Sequence, residues 1–224
     1  LTLTIVLPTK NEEESIWKTI SDIRKHVVCP IVVVDAHSTD DTAILASLHR
    51  GVTVIFDEGK GKGAALRQAF EYCGTDVIFL DVDGTYEIGK IGEFVTALDN
   101  GYDVVVGEKH YTRAVKPRIL GIGLFTIGDW IWRVAFSLFY GKSTANNISG
   151  YRGMKKSVID MMDLQEDGFG IETEIEVKTI KLGVTEKIID TIYDDRVGES
   201  KFRLKDNLAT AKAFFKYMFW RRSK

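Results

Sequence analysis

The sequence predicts an α/β domain, a Rossmann-like, mostly parallel central sheet with helices on both faces. Three observations carry this. Short β-branched runs alternate with segments of helical periodicity through the first half of the chain. The runs are apolar nearly throughout, as strands buried on both faces are. Loops rich in Asp, Gly and Lys follow four of the runs, where a parallel sheet collects its ligands.

Thr2–Leu7 reads as the first strand, closed by Pro8. Glu13–His26 repeats Ile16, Ile20, Ile23 and Val27 on one side, which is helical spacing. Ile31–Asp35 is a β-branched strand. Asp40–Leu48 is helical, with Ser38 to Asp40 offering caps. Val52–Phe56, Val77–Leu80 and Val104–Val106 read as strands, and Gly63–Tyr72 and Ile88–Leu98 as helices. The second half is less regular. Ile119–Tyr140 is a long apolar segment whose only charges are Asp129 and Arg133. Ser149–Met154 reads as an edge strand, Gly170–Lys181 as a helix, Thr185–Tyr193 as a strand and Leu204–Trp220 as a terminal amphipathic helix.

The chain has 224 residues, with 30 Lys and Arg against 32 Asp and Glu, a net charge of −2 that argues against a nucleic-acid binder. The tail is the exception. Lys201, Arg203, Lys205, Lys212, Lys216, Arg221, Arg222 and Lys224 face a single acid, Asp206, and lie among aromatics, a composition that favours an anionic surface. Cys29 and Cys73 show neither metal-ligand spacing nor a disulfide framework, so a reducing, cytoplasmic compartment is expected. The first residues read as a strand rather than a secretory signal.

The loops carry the chemistry. They are "LPTKNEE" (7–13), "VVVDAHSTDDT" (32–42), "DEGKGKGAALR" (57–67) and "DVDGTY" (81–86). In extended chain Asp81 and Asp83 share a side, and such a pair repels unless a cation lies near. A hard divalent ion, Mg²⁺ or Mn²⁺, takes oxygen ligands and keeps places for substrate phosphates. Alone, D-x-D-G reads as a solvated turn; beside three other polar strand ends it reads as a metal and nucleotide site. "GKGKG" precedes a helix, so its amides, Lys60 and Lys62 are candidates to face phosphate, although no Walker A spacing is present. Asp35 reads either as a turn aspartate or as an acceptor for base or ribose. His26, His37, His49 and His110 form no ligand spacing, and no Ser-His-Asp or Cys-His arrangement stands out.

Together these stretches, with "YDVVVGEKHY", "NNISGYRGMKK", "GFGIETEIEVKTIKLG" and "DRVGESKF", resemble the family-2, GT-A-type glycosyltransferases. More narrowly they resemble the polyprenyl-phosphate (dolichyl-phosphate) sugar synthases, in order from residue 7 to 202. The resemblance implies a GT-A catalytic domain over 1–202, with interfacial, acceptor-side helices at 119–140, and a basic amphipathic helix over 203–224. It implies that Pro8, Thr9, Glu12, Asp35, Lys62, Asp81 and Asp83 bind the nucleotide, with Mg²⁺ or Mn²⁺ on Asp81 and Asp83. Asp83, Lys109, Arg118 and Arg196 would be catalytic, and Arg113, Arg118, Arg196, Ser200 and Lys201 would hold the acceptor phosphate. Gly84 and Thr85 stand where the mannosyl enzymes carry a bulkier residue and Gln, and Ala36 replaces a second acid. The Gly84–Thr85 departure weakens the GDP-mannose assignment, and "GKGKGAALR" and "DGTY" resemble more the members that use UDP-glucose or UDP-N-acetylglucosamine.

The expected reaction is inverting transfer of a sugar to a polyprenyl phosphate, whose ionised oxygen attacks without a strong general base. The alternatives are GDP-mannose-dependent transfer and a hydroxyl acceptor served by Glu172, Glu174 or Asp167 as base. A third is a non-catalytic nucleotide-binding module. Ile119–Tyr140 could cross a ~30 Å bilayer in length, yet Asp129 and Arg133 near its middle would cost roughly 2.5–3.5 kcal/mol each. The expectation is interfacial helices with Trp130, Trp132, Phe136 and Phe139 toward lipid, Arg113, Lys116 and Arg118 beside headgroups, and "FFKYMFWRR" as a second contact. The protein would then sit peripherally on the cytoplasmic face.

Overall fold

The computed structural model describes residues 2–111, 124–141, 149–198 and 204–222. Seven strands form one sheet: β1 (Leu3–Thr9), β2 (Ile31–Asp35), β3 (Val52–Phe56), β4 (Asp76–Leu80), β5 (Val104–Tyr111), β6 (Tyr151–Met154) and β7 (Glu186–Tyr193). Their spatial order is β3-β2-β1-β4-β6-β5-β7. All run parallel except β6, which lies antiparallel between β4 and β5. The Ser149–Met154 segment is therefore a central strand and not an edge. Tyr151 is fully buried in the core on one side of the sheet and Met154 in the core on the other.

The helices are α1 (Glu13–His26), α2 (Thr42–Ser47), α3 (Lys62–Cys73), α4 (Ile91–Asp99), α5 (Leu124–Tyr140), α6 (Lys156–Met162), α7 (Gly170–Leu182) and α8 (Leu204–Lys216). α1 buries Ile16, Ile20 and Ile23, each stabilising by about 1.5–3 kcal/mol. Glu13 and Glu14 in its first turn and Arg24, Lys25 and His26 in its last complement the helix dipole. α3 ends at Gly74, whose φ of 60° terminates the helix in the left-handed region.

Two cores sandwich the sheet. On one face Ile16, Ile20 and Ile23 pack with Phe94 and Leu98; on the other Leu66 and Phe70 pack with Met162, Ile171 and Ile175. β5 extends to Tyr111, beyond the apolar Val104–Val106, because β7 pairs with it residue by residue from Val104 to Tyr111. Backbone pairing carries the polar Glu108–His110 stretch into the strand.

A third cluster joins α5, α7 and α8 through Phe136, Val177, Ala213, Phe214 and Tyr217. This corrects one expectation. Phe136 is fully buried and Trp132 packs against the same cluster, so neither turns toward lipid. A helix lying on a protein surface must bury one stripe, and these aromatics belong to that stripe. Leu138 and Phe139 on α5, Phe215 on α8 and Phe219 just beyond it are exposed. Trp130's side chain lies outside the described residues, as do Arg113, Lys116 and Arg118. No helix among the described residues is long and apolar enough to cross a membrane.

Candidate active site

The carboxyl ends of β1, β2, β3 and β4 form one rim. Asp35 ends β2 fully buried, and its carboxylate is engaged by its own neighbourhood. Ser38 donates from its amide at 2.7 Å and its hydroxyl at 2.6 Å, and Thr9 donates its hydroxyl at 3.2 Å. Asp35 thus shapes the β2–α2 loop. Pro8 and Thr9 close β1 beside it, and Glu12 precedes α1 with its amide on the Thr42 hydroxyl at 2.8 Å. Asp57, at the end of β3, was missed. It is buried, Gly59 N–H donates to one oxygen at 2.8 Å, and Oδ2 has no hydrogen-bond partner. Its signal was the rule that singled out Asp35 and Asp81: a carboxylate closing an apolar strand.

The glycine-rich loop does not present its helix N-terminus to a ligand. Gly63 and Ala64 N–H both donate to the Asp167 carbonyl, at 2.8 and 3.1 Å. Lys60 pairs with Glu58 at the surface. Lys62 turns inward instead. Its ammonium donates to Asp81 Oδ1 at 2.5 Å and to Glu172 Oε1, on the first turn of α7, at 2.6 Å.

Asp83 is almost fully buried. Thr85 donates to its Oδ1 from the amide at 3.1 Å and the hydroxyl at 2.5 Å, and Arg196 pairs with its Oδ2. The backbone locks the two segments together. Val197 N–H reaches the Asp83 carbonyl and Asp194 N–H the Thr85 carbonyl, each at 2.8 Å. Lys109, on β5, stands over the rings of Tyr193 at 5.0 Å and Tyr86 at 5.9 Å, a cation–π seat beside this turn. Arg113, Arg118, Ser200 and Lys201, expected around the acceptor phosphate, lie outside the described residues.

The electrostatics follow from this crowding. Burial pushes the Asp81 carboxyl up; Lys62 opposes, but Glu172 and Asp83 add to the rise, and the net shift is upward. Glu172 is also pushed up by burial, yet Lys62 and Lys109 outweigh that and hold it below the ordinary glutamate value. Burial, and then the charge of Asp81, raise the Tyr86 phenol.

Three carboxylates around two cations make an oxygen-only donor set with residual negative charge, which fits a hard divalent ion at Asp81 and Asp83. A second set of donor atoms, on Glu108, His110 and Asp190, lies within 4.8 Å of one another. Strand alternation turns Glu108 and His110 to the face opposite Lys109. Asp190 is 79% exposed there, and Glu108 already pairs with Arg133, as Asp81 does with Lys62 and Asp83 with Arg196.

The acceptor-side acids are committed. Glu174, fully buried, accepts from the amides of Gln165 and Glu166 and pairs with Lys178 at 2.5 Å. Asp167 pairs with Arg67 at 2.6 Å.

An α/β sheet in this strand order, with an acidic turn closing β4 at its carboxyl rim, defines a GT-A glycosyltransferase. The chain belongs to glycosyl transferase family 2, whose profile matches residues 4–161. It is 36% identical over 194 residues to glycosyltransferase AglJ of Haloferax volcanii, covering 86% of this chain and 63% of that one. It is 26% identical to a dolichyl-phosphate hexose transferase of the same organism, covering 89% of this chain and 86% of the relative. Among solved structures, glucosyl-3-phosphoglycerate synthase from Mycobacterium tuberculosis, in complex with Mn²⁺ and UDP-glucose, superposes with a TM-score of 0.72. That match has 20% identity and covers 97% of this chain and 78% of that one.

Proposed function

We propose that this chain transfers a hexose from a UDP-sugar, UDP-glucose or UDP-N-acetylglucosamine, to a polyprenyl phosphate with inversion at the anomeric carbon, using Mg²⁺ or Mn²⁺. The observation that carries the acceptor class is how the three acids weighed as a base for a hydroxyl acceptor are held. Glu172, Glu174 and Asp167, the three acids placed to serve a hydroxyl acceptor, are each held in an ion pair. An acceptor that arrives ionised needs none of them, and a phosphate monoester is such an acceptor. The dolichyl-phosphate hexose transferase relative supports the lipid form of that phosphate.

Asp83 and Asp81 would hold the metal, which neutralises charge on the departing nucleoside diphosphate. Thr85 fixes Asp83, and the Thr9–Glu12 segment with the loop that Asp35 orders offers the nucleotide its seat. Lys109 and Arg196 bring cations to the acceptor side, where an arginine fork suits a phosphate better than a lysine. The exposed Leu138, Phe139, Phe215 and Phe219, with the exposed cations Lys212, Arg221 and Arg222 of the same tail, would rest on an anionic membrane surface and set the rim within reach of a lipid phosphate.

The test is a panel of UDP- and GDP-sugars with Mg²⁺ or Mn²⁺, offered to a polyprenyl phosphate, the matching polyprenol and 3-phosphoglycerate, with products weighed by mass spectrometry. Sugar on the lipid phosphate is expected. Transfer to the polyprenol would restore a hydroxyl acceptor, and transfer to phosphoglycerate alone would make the acceptor a soluble phosphate.

A further inference from the structure

Lys62 stands where a donor phosphate could be bound, yet its surroundings give it another task. The side chain is only 11% exposed, and its ammonium lies between Asp81 and Glu172 with the Phe169 ring 5.9 Å away. Its backbone is closely packed on both sides. Gly61 before it has φ of +125°, and a Cβ there would meet the Asp167 carbonyl oxygen at 2.7 Å; at Gly63 after it, a Cβ would meet the Glu166 carbonyl oxygen at 2.1 Å. Asp81 is seated as firmly from the other side, since a Cβ at Gly150 would come within 2.2 Å of its Oδ2. Swinging Lys62 toward a donor phosphate would strand the buried Glu172 carboxylate facing the part-buried Asp81, a costly arrangement in a low-dielectric site. Asp83 is different, because its partner Arg196 is 27% exposed and comes from the chain that follows β7.

We infer that Lys62 is a positioning residue: its ammonium clasps Asp81 to Glu172, fixes the first aspartate of the pair, and cancels the Glu172 charge that would otherwise repel the donor diphosphate. Glu172 is the counter-ion of this clasp and not a base. The clasp joins the nucleotide half of the sheet, through α3 and β4, to the acceptor-side helix α7. The inference rests on the proposed reading only in taking the Asp81–Asp83 turn as the donor's seat.

A double-variant cycle tests it: wild type, Lys62→Met, Glu172→Gln and the two combined. Each is measured for thermal midpoint without metal, for affinity toward UDP with Mn²⁺ by calorimetry, and for KM and kcat on the nucleotide sugar. Lys62→Met is expected to lower UDP–Mn²⁺ affinity by roughly tenfold or more and to lower the midpoint. Adding Glu172→Gln should return about fivefold of that affinity and part of the midpoint, a coupling in the range of contacting charged groups. The recovery should appear in KM more than in kcat. A double variant no better than Lys62→Met overturns the clasp and makes Lys62 a direct phosphate ligand. If Lys62→Met fails to fold, Glu172→Gln decides. A loss of under about threefold in affinity supports a counter-ion, and a loss beyond about tenfold overturns it. Wild type that binds no uridine or guanosine diphosphate with Mn²⁺ would sink the proposed function instead. The metal-free midpoints would then still judge the clasp, through coupling between positions 62 and 172.

Discussion

At the scale of single residues, Asp83 is the group on which the proposed chemistry depends. Asp83→Asn keeps the shape and the Thr85 contacts but loses the charge that faces Arg196. Steady-state transfer should fall by about two orders of magnitude or more, with an unchanged circular dichroism spectrum, in line with the several kcal/mol a bound metal supplies. Full activity of this variant in chelator would remove the metal from the account. Arg196→Ala should weaken the response to the lipid phosphate more than the response to the nucleotide sugar. Titrating each substrate separately reads the split, and the reverse order would move Arg196 to the donor side.

Asp40, in the loop after β2, gives a pH signature in stability. Burial pushes its carboxyl up, but hydrogen bonds from the Thr42 hydroxyl and amide and from the Glu13 amide outweigh this, and its pKa is lowered. A lowered carboxylate pKa contributes stability that is present above the unfolded value and lost as pH falls through the folded one. Asp40→Asn should therefore lower stability most at neutral pH and flatten the profile below pH ~4, where wild type loses the same contribution, read from urea midpoints. The acidic turn was legible in the sequence because a carboxylate ending an apolar strand stands out. Its partners were not. Lys62 meets Glu172 across 110 positions and Arg196 meets Asp83 across 113, and only the fold brings such groups together.

Among the elements, the N-terminus of α3 shows how a helix end can be used internally. The Glu166–Asp167 backbone fills the space that "GKGKG" leaves, and Arg67 holds that segment through the Glu166 carbonyl at 2.8 Å and the Asp167 carboxylate. Gly63→Ala should cost about 1–3 kcal/mol by overpacking, and more if the backbone cannot yield, measured by chemical denaturation. Stability equal to wild type would mean that the segment moves freely. Helix and strand positions in the first half were readable because their periodicities are clean. The reading of β6 as an edge failed for a physical reason: four residues, one of them the charged Arg152, carry neither direction nor neighbour. The extension of β5 was unreadable for a related one, since its polar residues are ordered by pairing with β7.

For the molecule as a whole, the exposed apolar strip links two helices. Phe139 on α5 approaches Phe215 on α8 with ring centroids 6.1 Å apart, and Lys212, Arg221 and Arg222, near Phe215 in sequence, are exposed. The protein should float with anionic vesicles, less so at high salt, and be released by carbonate. Phe215→Ser with Phe219→Ser should cut vesicle binding by about tenfold or more, since burying one such side chain is worth roughly 1.5–3 kcal/mol. Turnover on a short, water-soluble isoprenyl phosphate should stay near wild type. Equal flotation of the double variant would move the contact elsewhere, and no flotation of the wild type would remove it.

The reversed strand at the centre of the sheet also governs how the chain is born. β4 can pair with β1 as soon as both have left the ribosome, but its other edge waits for Tyr151–Met154. At ribosomal speeds that wait lasts on the order of several seconds, with the apolar Val77–Leu80 edge open to any strand it meets. A nascent chain stalled before residue 151 should aggregate or recruit chaperones, and one extended through Met154 should gain protease resistance in a single step. The strand that seals the catalytic sheet is thus also the one whose late arrival sets the hazard of its synthesis.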